Sequence, residues 1–109
     1  MIKIEFYVGL SKDRHDNDIG DATAMDGLAA VDAILRATYG GYTSQAAFGV
    51  YKDQSTEETA VFTIFVGEPT GKPFLFEDTK EIAGKLAAAL NQESVLWFVS
   101  GGSGGFQGR

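Results

Sequence analysis

Residues 42–66 read YTSQAAFGVYKDQSTEETAVFTIFV. Aromatic and β-branched residues fill both ends and the polar run KDQSTEE divides them, so the stretch reads as two strands joined by a turn. This hairpin decides the fold, because a helix and then a strand flank it on either side. Upstream, residues 21–41 (DATAMDGLAAVDAILRATYGG) place Ala24, Leu28, Val31 and Leu35 on one helical face, offer Asp21 or Thr23 as N-cap, and stop at Gly40 and Gly41. Before that, Ile2, Ile4, Phe6, Val8 and Leu10 alternate with positions that begin with Lys3 and Glu5, the period of a half-buried strand. Downstream, residues 76–92 (FEDTKEIAGKLAAALNQ) carry Asp78 and Glu81 at capping-box spacing, then Ile82, Leu86 and Leu90 at helical spacing. SVLWFVS, residues 94–100, makes a last strand.

The order strand, helix, strand, strand, helix, strand predicts an α+β fold, the ferredoxin-like βαββαβ sandwich. An antiparallel four-stranded sheet should carry two helices on one face, with the strands in spatial order 4, 1, 3, 2. Residues 1–100 form the single α+β domain of this plan, and 101–109 a glycine-rich C-terminal tail.

Composition narrows the function classes. With 109 residues, 44% of them hydrophobic and 22% charged, the chain holds one core and no room for a second domain. Its net charge of −6 and pI near 4.6 oppose a phosphate backbone, so neither direct nucleic-acid binding nor an anionic membrane is expected. Without cysteine there is no disulfide, thiolate metal site or thiol nucleophile. The opening MIKIEFYVGL lacks a secretory pattern and no apolar run reaches the ~20 residues of a membrane span, which leads to the expectation of a soluble, cytoplasmic protein.

Two surfaces follow from the plan. The loop after the first strand, the hairpin turn and the end of the second helix meet at one end of the sheet. Asp13, Asp16, Asp18, Asp21, Asp53, Glu57, Glu58 and Glu93 gather there against Lys12, Arg14 and Lys52. Such an end suits a partner with a basic surface, with Asp13, Asp16, Asp18, Asp53, Glu57, Glu58 and Glu93 as candidate partner-binding residues. Lys12, Arg14, His15, Asn91, Gln92 and Arg109 are the candidates for holding a small ligand such as a nucleotide. On the sheet face away from the helices, Tyr7, Tyr51 and Phe65 should point outward, and the final strand is apolar on both sides. That face needs a second cover, so Tyr7, Tyr51, Phe65 and Trp97 are candidates for self-association into a homo-oligomer.

Motifs that carry chemistry fail in detail. GEPTGKP, residues 67–73, follows a strand as a phosphate-binding loop does, but three residues separate its glycines where four are needed, and Pro73 replaces the magnesium-binding hydroxyl. DNDIGD, residues 16–21, sets its glycine at the fifth place of a calcium loop instead of the sixth, and Gly27 stands where the bidentate glutamate belongs. The aromatic-glycine signature of RNA-binding sheets is missing. For His15, a lone histidine among aspartates, the sequence gives no evidence of the positioned partner that a general base needs. No catalytic residue, metal ligand or cofactor is expected from these stretches.

FYVGLSKD (6–13), GGYTSQAAFGVYKD (40–53) followed by ETAVFTIFV (58–66), and NQESVLW (91–97) together resemble small uncharacterised α/β proteins carried by phages and other mobile elements. The resemblance implies a compact viral or mobile-element protein, cytoplasmic and in the host cytoplasm if viral, that acts by binding, in an anti-defence role. The leading expectation is therefore a small acidic non-enzymatic binding protein that holds or inhibits a protein partner. Its alternatives are a sponge that sequesters a small signalling nucleotide at a subunit interface, and a small dimeric α/β-barrel type enzyme whose cleft uses His15, Tyr7 or an aspartate to move a proton.

Overall fold

A computed structural model describes residues 2–11, 15, 17–50, 56–67, 75–92 and 95–101. The elements are β1 (Ile2–Gly9), α1 (Asp21–Tyr39), β2 (Thr43–Val50), β3 (Thr56–Val66), α2 (Leu75–Ala89) and β4 (Leu96–Gly101). They form one antiparallel sheet in the order β2, β3, β1, β4, the ferredoxin-like plan expected from the pattern. Gly101 belongs to β4, paired with Ile2, and residues 102–109 lie outside the described residues. Among the described residues no helix is long and apolar enough to cross a membrane.

Strand β1 sets the layering. Ile4, Phe6 and Val8 are fully buried, and they pair with Ile64, Phe62 and Ala60 on β3. The two-residue period sends both rows to the helix side, where they meet Val31 and Leu35 of α1 and Ile82, Leu86 and Leu90 at α2. Buried Gly27 lets the helices approach, since a Cβ there would stand 2.1 Å from Leu90 Cδ2. Helix α2 lies over β1 and β4. Strand β2 is the far edge, and its helix-side residues Phe48 and Val50 are each 73% exposed.

Both helix starts differ from the sequence reading. Helix α1 follows Gly20 without a side-chain cap, and Asp21 is its first residue, where a carboxylate still interacts favourably with the helix dipole. Helix α2 begins at Leu75, so Asp78 lies inside its first turn instead of capping it. The neighbouring Thr79 is fully buried and hydrogen-bonded to the Tyr39 phenol, which burial pushes above its ordinary pKa. That bond pins the start of α2 to the end of α1.

The stop of α1 matches the sequence, and α2 ends on a left-handed residue as well. Gly40 adopts a left-handed φ of 85° and donates its N–H to the Arg36 carbonyl at 2.9 Å. Asn91 adopts φ 50°, and the N–H groups of Asn91 and Gln92 reach the Ala88 and Ala87 carbonyls, the paired bonds of a Schellman stop. Just past α1, the Tyr42 phenol donates to Asp32, which also accepts from Arg36 Nε at 3.0 Å. The bond to Tyr42 holds the Asp32 carboxyl below its usual pKa, and the same bond raises the phenol.

The face away from the helices carries Lys3, Glu5 and Tyr7 on β1, flanked by Phe65, Thr63 and Val61 on β3 and by Ser100, Phe98 and Leu96 on β4. Phe65, Leu96 and Phe98 are each about half exposed. Trp97 is corrected: it pairs with buried Phe6 and packs against the core, so Leu96 and Phe98 are the outward residues of β4. A strand apolar on both faces gave no signal for choosing between them.

Candidate functional site

At the end of the sheet where β1 finishes, the outer face dips into a hollow of about 530 Å³. Strand parity builds it. Gly9 of β1, Ala47 and Gly49 of β2, and Glu57 and Thr59 of β3 share this face, so small residues form the floor beneath one carboxylate. Tyr7 and Leu96, cross-strand partners, make an apolar wall, and the stop of α2 brings in Gln92. The Glu57 side chain folds toward β1 until its carboxylate stands over Gly9.

Tyr7 is held in place from two sides. Its hydroxyl donates to Glu5 Oε2 at 3.1 Å, and Glu5 Oε1 lies 3.5 Å from Lys3 Nζ. Its ring meets Phe98 edge-on, 5.9 Å between centroids. Burial, then the hydrogen bond and charge of Glu5, raise the phenol above its ordinary pKa, so Tyr7 stays neutral at physiological pH. The hollow thus pairs an aromatic and aliphatic wall with a carboxylate and a carboxamide, a set that suits a ligand with a flat apolar part and a charged polar end.

Three of the residues singled out from sequence converge here, from three different expectations: Glu57, Gln92 and Tyr7. Asn91 supplies the turn that delivers Gln92. Glu58 lies at the same end but on the opposite face, across from Phe48, with its N–H bonded to Ser11 Oγ and its carbonyl to the Leu10 N–H. Alternation along β3 therefore divides the acidic set. His15 and Asp18 are exposed in the loop before α1, and Phe65 sits at the far end of the outer face, opposite Lys3. Lys12, Asp13, Arg14, Asp16, Tyr51, Asp53, Glu93 and Arg109 lie outside the described residues.

Sequence reasoning missed Gly9, Gly49, Thr59 and Leu96. Glycines inside two strands are a signal of close approach, and only the register aligns them with one acid. A second hollow of about 380 Å³ opens on the helix side among Leu10, Leu28, Tyr42, Ala46 and Phe62. Among the described residues its lining holds none that is charged, which makes it the weaker candidate for chemistry. Among the described residues no three His, Cys, Asp or Glu side chains are grouped to hold a metal ion.

No protein-family model matches the chain, and no curated protein matches its sequence. Solved structures do. A phage SAM lyase in the apo state is 23% identical, with TM-score 0.64, over 91% of this chain and 78% of that one. A phage SAM lyase in complex with S-methyl-5′-thioadenosine is 20% identical, with TM-score 0.63, over 91% of this chain and 79% of that one. The expectation of a non-enzymatic binding protein is corrected by these likenesses, because both of these structures, which share the fold, are of a phage SAM lyase, and one holds S-methyl-5′-thioadenosine.

Proposed function

We propose that the chain is a small enzyme that cleaves S-adenosylmethionine (SAM), with the hollow around Glu57 as its substrate site. One observation carries this reading: a carboxylate stands over glycine beside an apolar wall, in a fold shared across 91% of the chain with a lyase whose complex holds S-methyl-5′-thioadenosine.

The chemistry of that ligand fits the lining. Methylthioadenosine keeps the methyl and adenosyl groups of SAM on sulfur, so forming it from SAM breaks the remaining carbon–sulfur bond, to Cγ of the amino-acid part. The electron pair of that bond goes to sulfur and neutralises the sulfonium. In a lyase no water enters, and the four-carbon fragment completes its own valence, by attack of its carboxylate at Cγ or by loss of a proton from Cβ. Adenine and thioether pack on apolar surface, which Tyr7 and Leu96 offer. The α-ammonium calls for a carboxylate, Glu57, and the α-carboxylate for a donor, the Gln92 carboxamide. A protein of net charge −6 also attracts a substrate that carries net positive charge.

The purified protein incubated with SAM should release methylthioadenosine, seen by mass spectrometry, and NMR of the four-carbon product distinguishes ring closure from alkene formation. SAM left intact and unbound overturns the reading. SAM bound tightly but never cleaved supports instead the sequestering alternative.

A second copy of the chain belongs to the same reading. The hollow opens on the outer face, and a copy laid there covers Phe65, Leu96 and Phe98. Lys3 and Glu5, side by side, give that face both charges, so it complements itself about a two-fold axis. Phe65→Glu should convert a dimer to a monomer in sedimentation velocity. A wild type already monomeric at high micromolar concentration rules the dimer out.

A further inference from the structure

We infer that Gly9 is a positioning residue, whose lack of a side chain fixes where the Glu57 carboxylate stands; its functional meaning rests on the hollow being the substrate site. Strand β3 presents Glu57 on the outer face between two glycines, Gly49 directly opposite on β2 and Gly9 diagonally across on β1. The side chain takes the β1 side. A Cβ at position 9 would lie 2.2 Å from Glu57 Oε1, 2.7 Å from Cδ and 3.1 Å from Oε2, so the whole carboxylate fills the space of the missing methyl.

The backbone gives no other reason for glycine here. Gly9 ends a regular strand and its φ is not in the left-handed region, so alanine fits the strand conformation. What excludes alanine is the carboxylate. Because β1 is a central strand, with Tyr7 two residues back on the same face and Leu96 opposite Tyr7, leaning over Gly9 carries the charge to the middle of the hollow. A methyl at position 9 sends it back toward Gly49 on the edge strand. The overlap is with the mobile end of a long side chain, so Gly9→Ala displaces the charge and leaves the sheet in place.

A double-mutant cycle separates this from a merely structural role. The probe is S-adenosylhomocysteine, which keeps the α-ammonium and lacks the sulfonium, and binding is read by calorimetry. Gly9→Ala should raise Kd about tenfold in the wild-type background and less than about twofold in Glu57→Ala. Equal losses in both backgrounds mean that the methyl obstructs the hollow directly, and overturn the inference; so does no loss in the wild type. The free protein gives an independent reading: Gly9→Ala should shift the 13C resonance of the Glu57 carboxyl and leave that of Glu77 on α2 in place. An unmoved Glu57 signal overturns the inference whether or not any adenosyl compound binds, whereas a wild type that binds none refutes the substrate reading alone. Should Gly9→Ala fail to fold, Gly9→Ala with Glu57→Asp, whose shorter side chain clears the methyl, should fold; failure of that pair also overturns the inference.

Discussion

On the proposed reading of the hollow as a SAM site, Glu57→Gln should lower kcat/KM for SAM about 10- to 100-fold, mainly through KM. Glutamine keeps the size of the side chain that lies over Gly9 and removes only its charge. Where that charge acts decides which constant moves. A sulfonium loses its positive charge as the carbon–sulfur bond breaks, so a carboxylate held against sulfur stabilises the substrate more than the transition state and slows the reaction. The α-ammonium keeps its charge throughout. A carboxylate bound there helps both states equally, and its loss raises KM. A charged hydrogen bond contributes about 1.5–3 kcal/mol, which gives the expected range. Steady-state kinetics of the two proteins test this. Unchanged kcat/KM removes Glu57 from the site, and a fall confined to kcat makes it the base that accepts the Cβ proton.

Phe6→Ala removes about 3–5 kcal/mol of stability, a large share of the roughly 5–15 kcal/mol that holds a domain together. Phe6 is fully buried, pairs with Phe62 and Trp97 on the two neighbouring strands, and meets the Tyr39 ring at 6.5 Å. Strands on both sides and helices above leave the surroundings little freedom to collapse into the cavity. Urea denaturation should show a much lower midpoint at unchanged slope, while Val50→Ala at the exposed edge changes it little. A Phe6→Ala midpoint as high as that of Val50→Ala would mean that this layer is not the core. The change also loosens the strand that carries Tyr7 and Gly9, so affinity at the proposed substrate site should fall with stability.

The fold is legible because β1 alternates strictly and both helices end on residues that adopt left-handed backbone, Gly40 and Asn91. Helix starts are harder to read. The acids at Asp21 and Asp78 satisfy a capping pattern, yet each lies one or more residues inside its helix, since a carboxylate is favourable anywhere in the first turn. The site is legible in pieces only. Tyr7, Glu57 and Gln92 stand far apart along the chain, and whether Glu57 or Glu58 faces the hollow depends on a hairpin register that a one-residue slip inverts. Charge counting put both acids in one patch; the pleat of β3 puts them on opposite sides. For β4 the pattern was silent, which is why Trp97 and Leu96 exchanged places.

The place of β1 in the sheet has a consequence during synthesis. It emerges from the ribosome first, yet it is a central strand, and its β4 partner is made roughly 90 residues later, about 5–18 s at ordinary elongation rates. Until then β1 can pair with β3 on one side only, and its other edge presents unpaired amides and carbonyls to any neighbouring nascent chain. The sheet is therefore complete only once β4 has cleared the ribosome, and a ribosome that stalls before Val95 leaves a chain whose central strand β1 is an open edge.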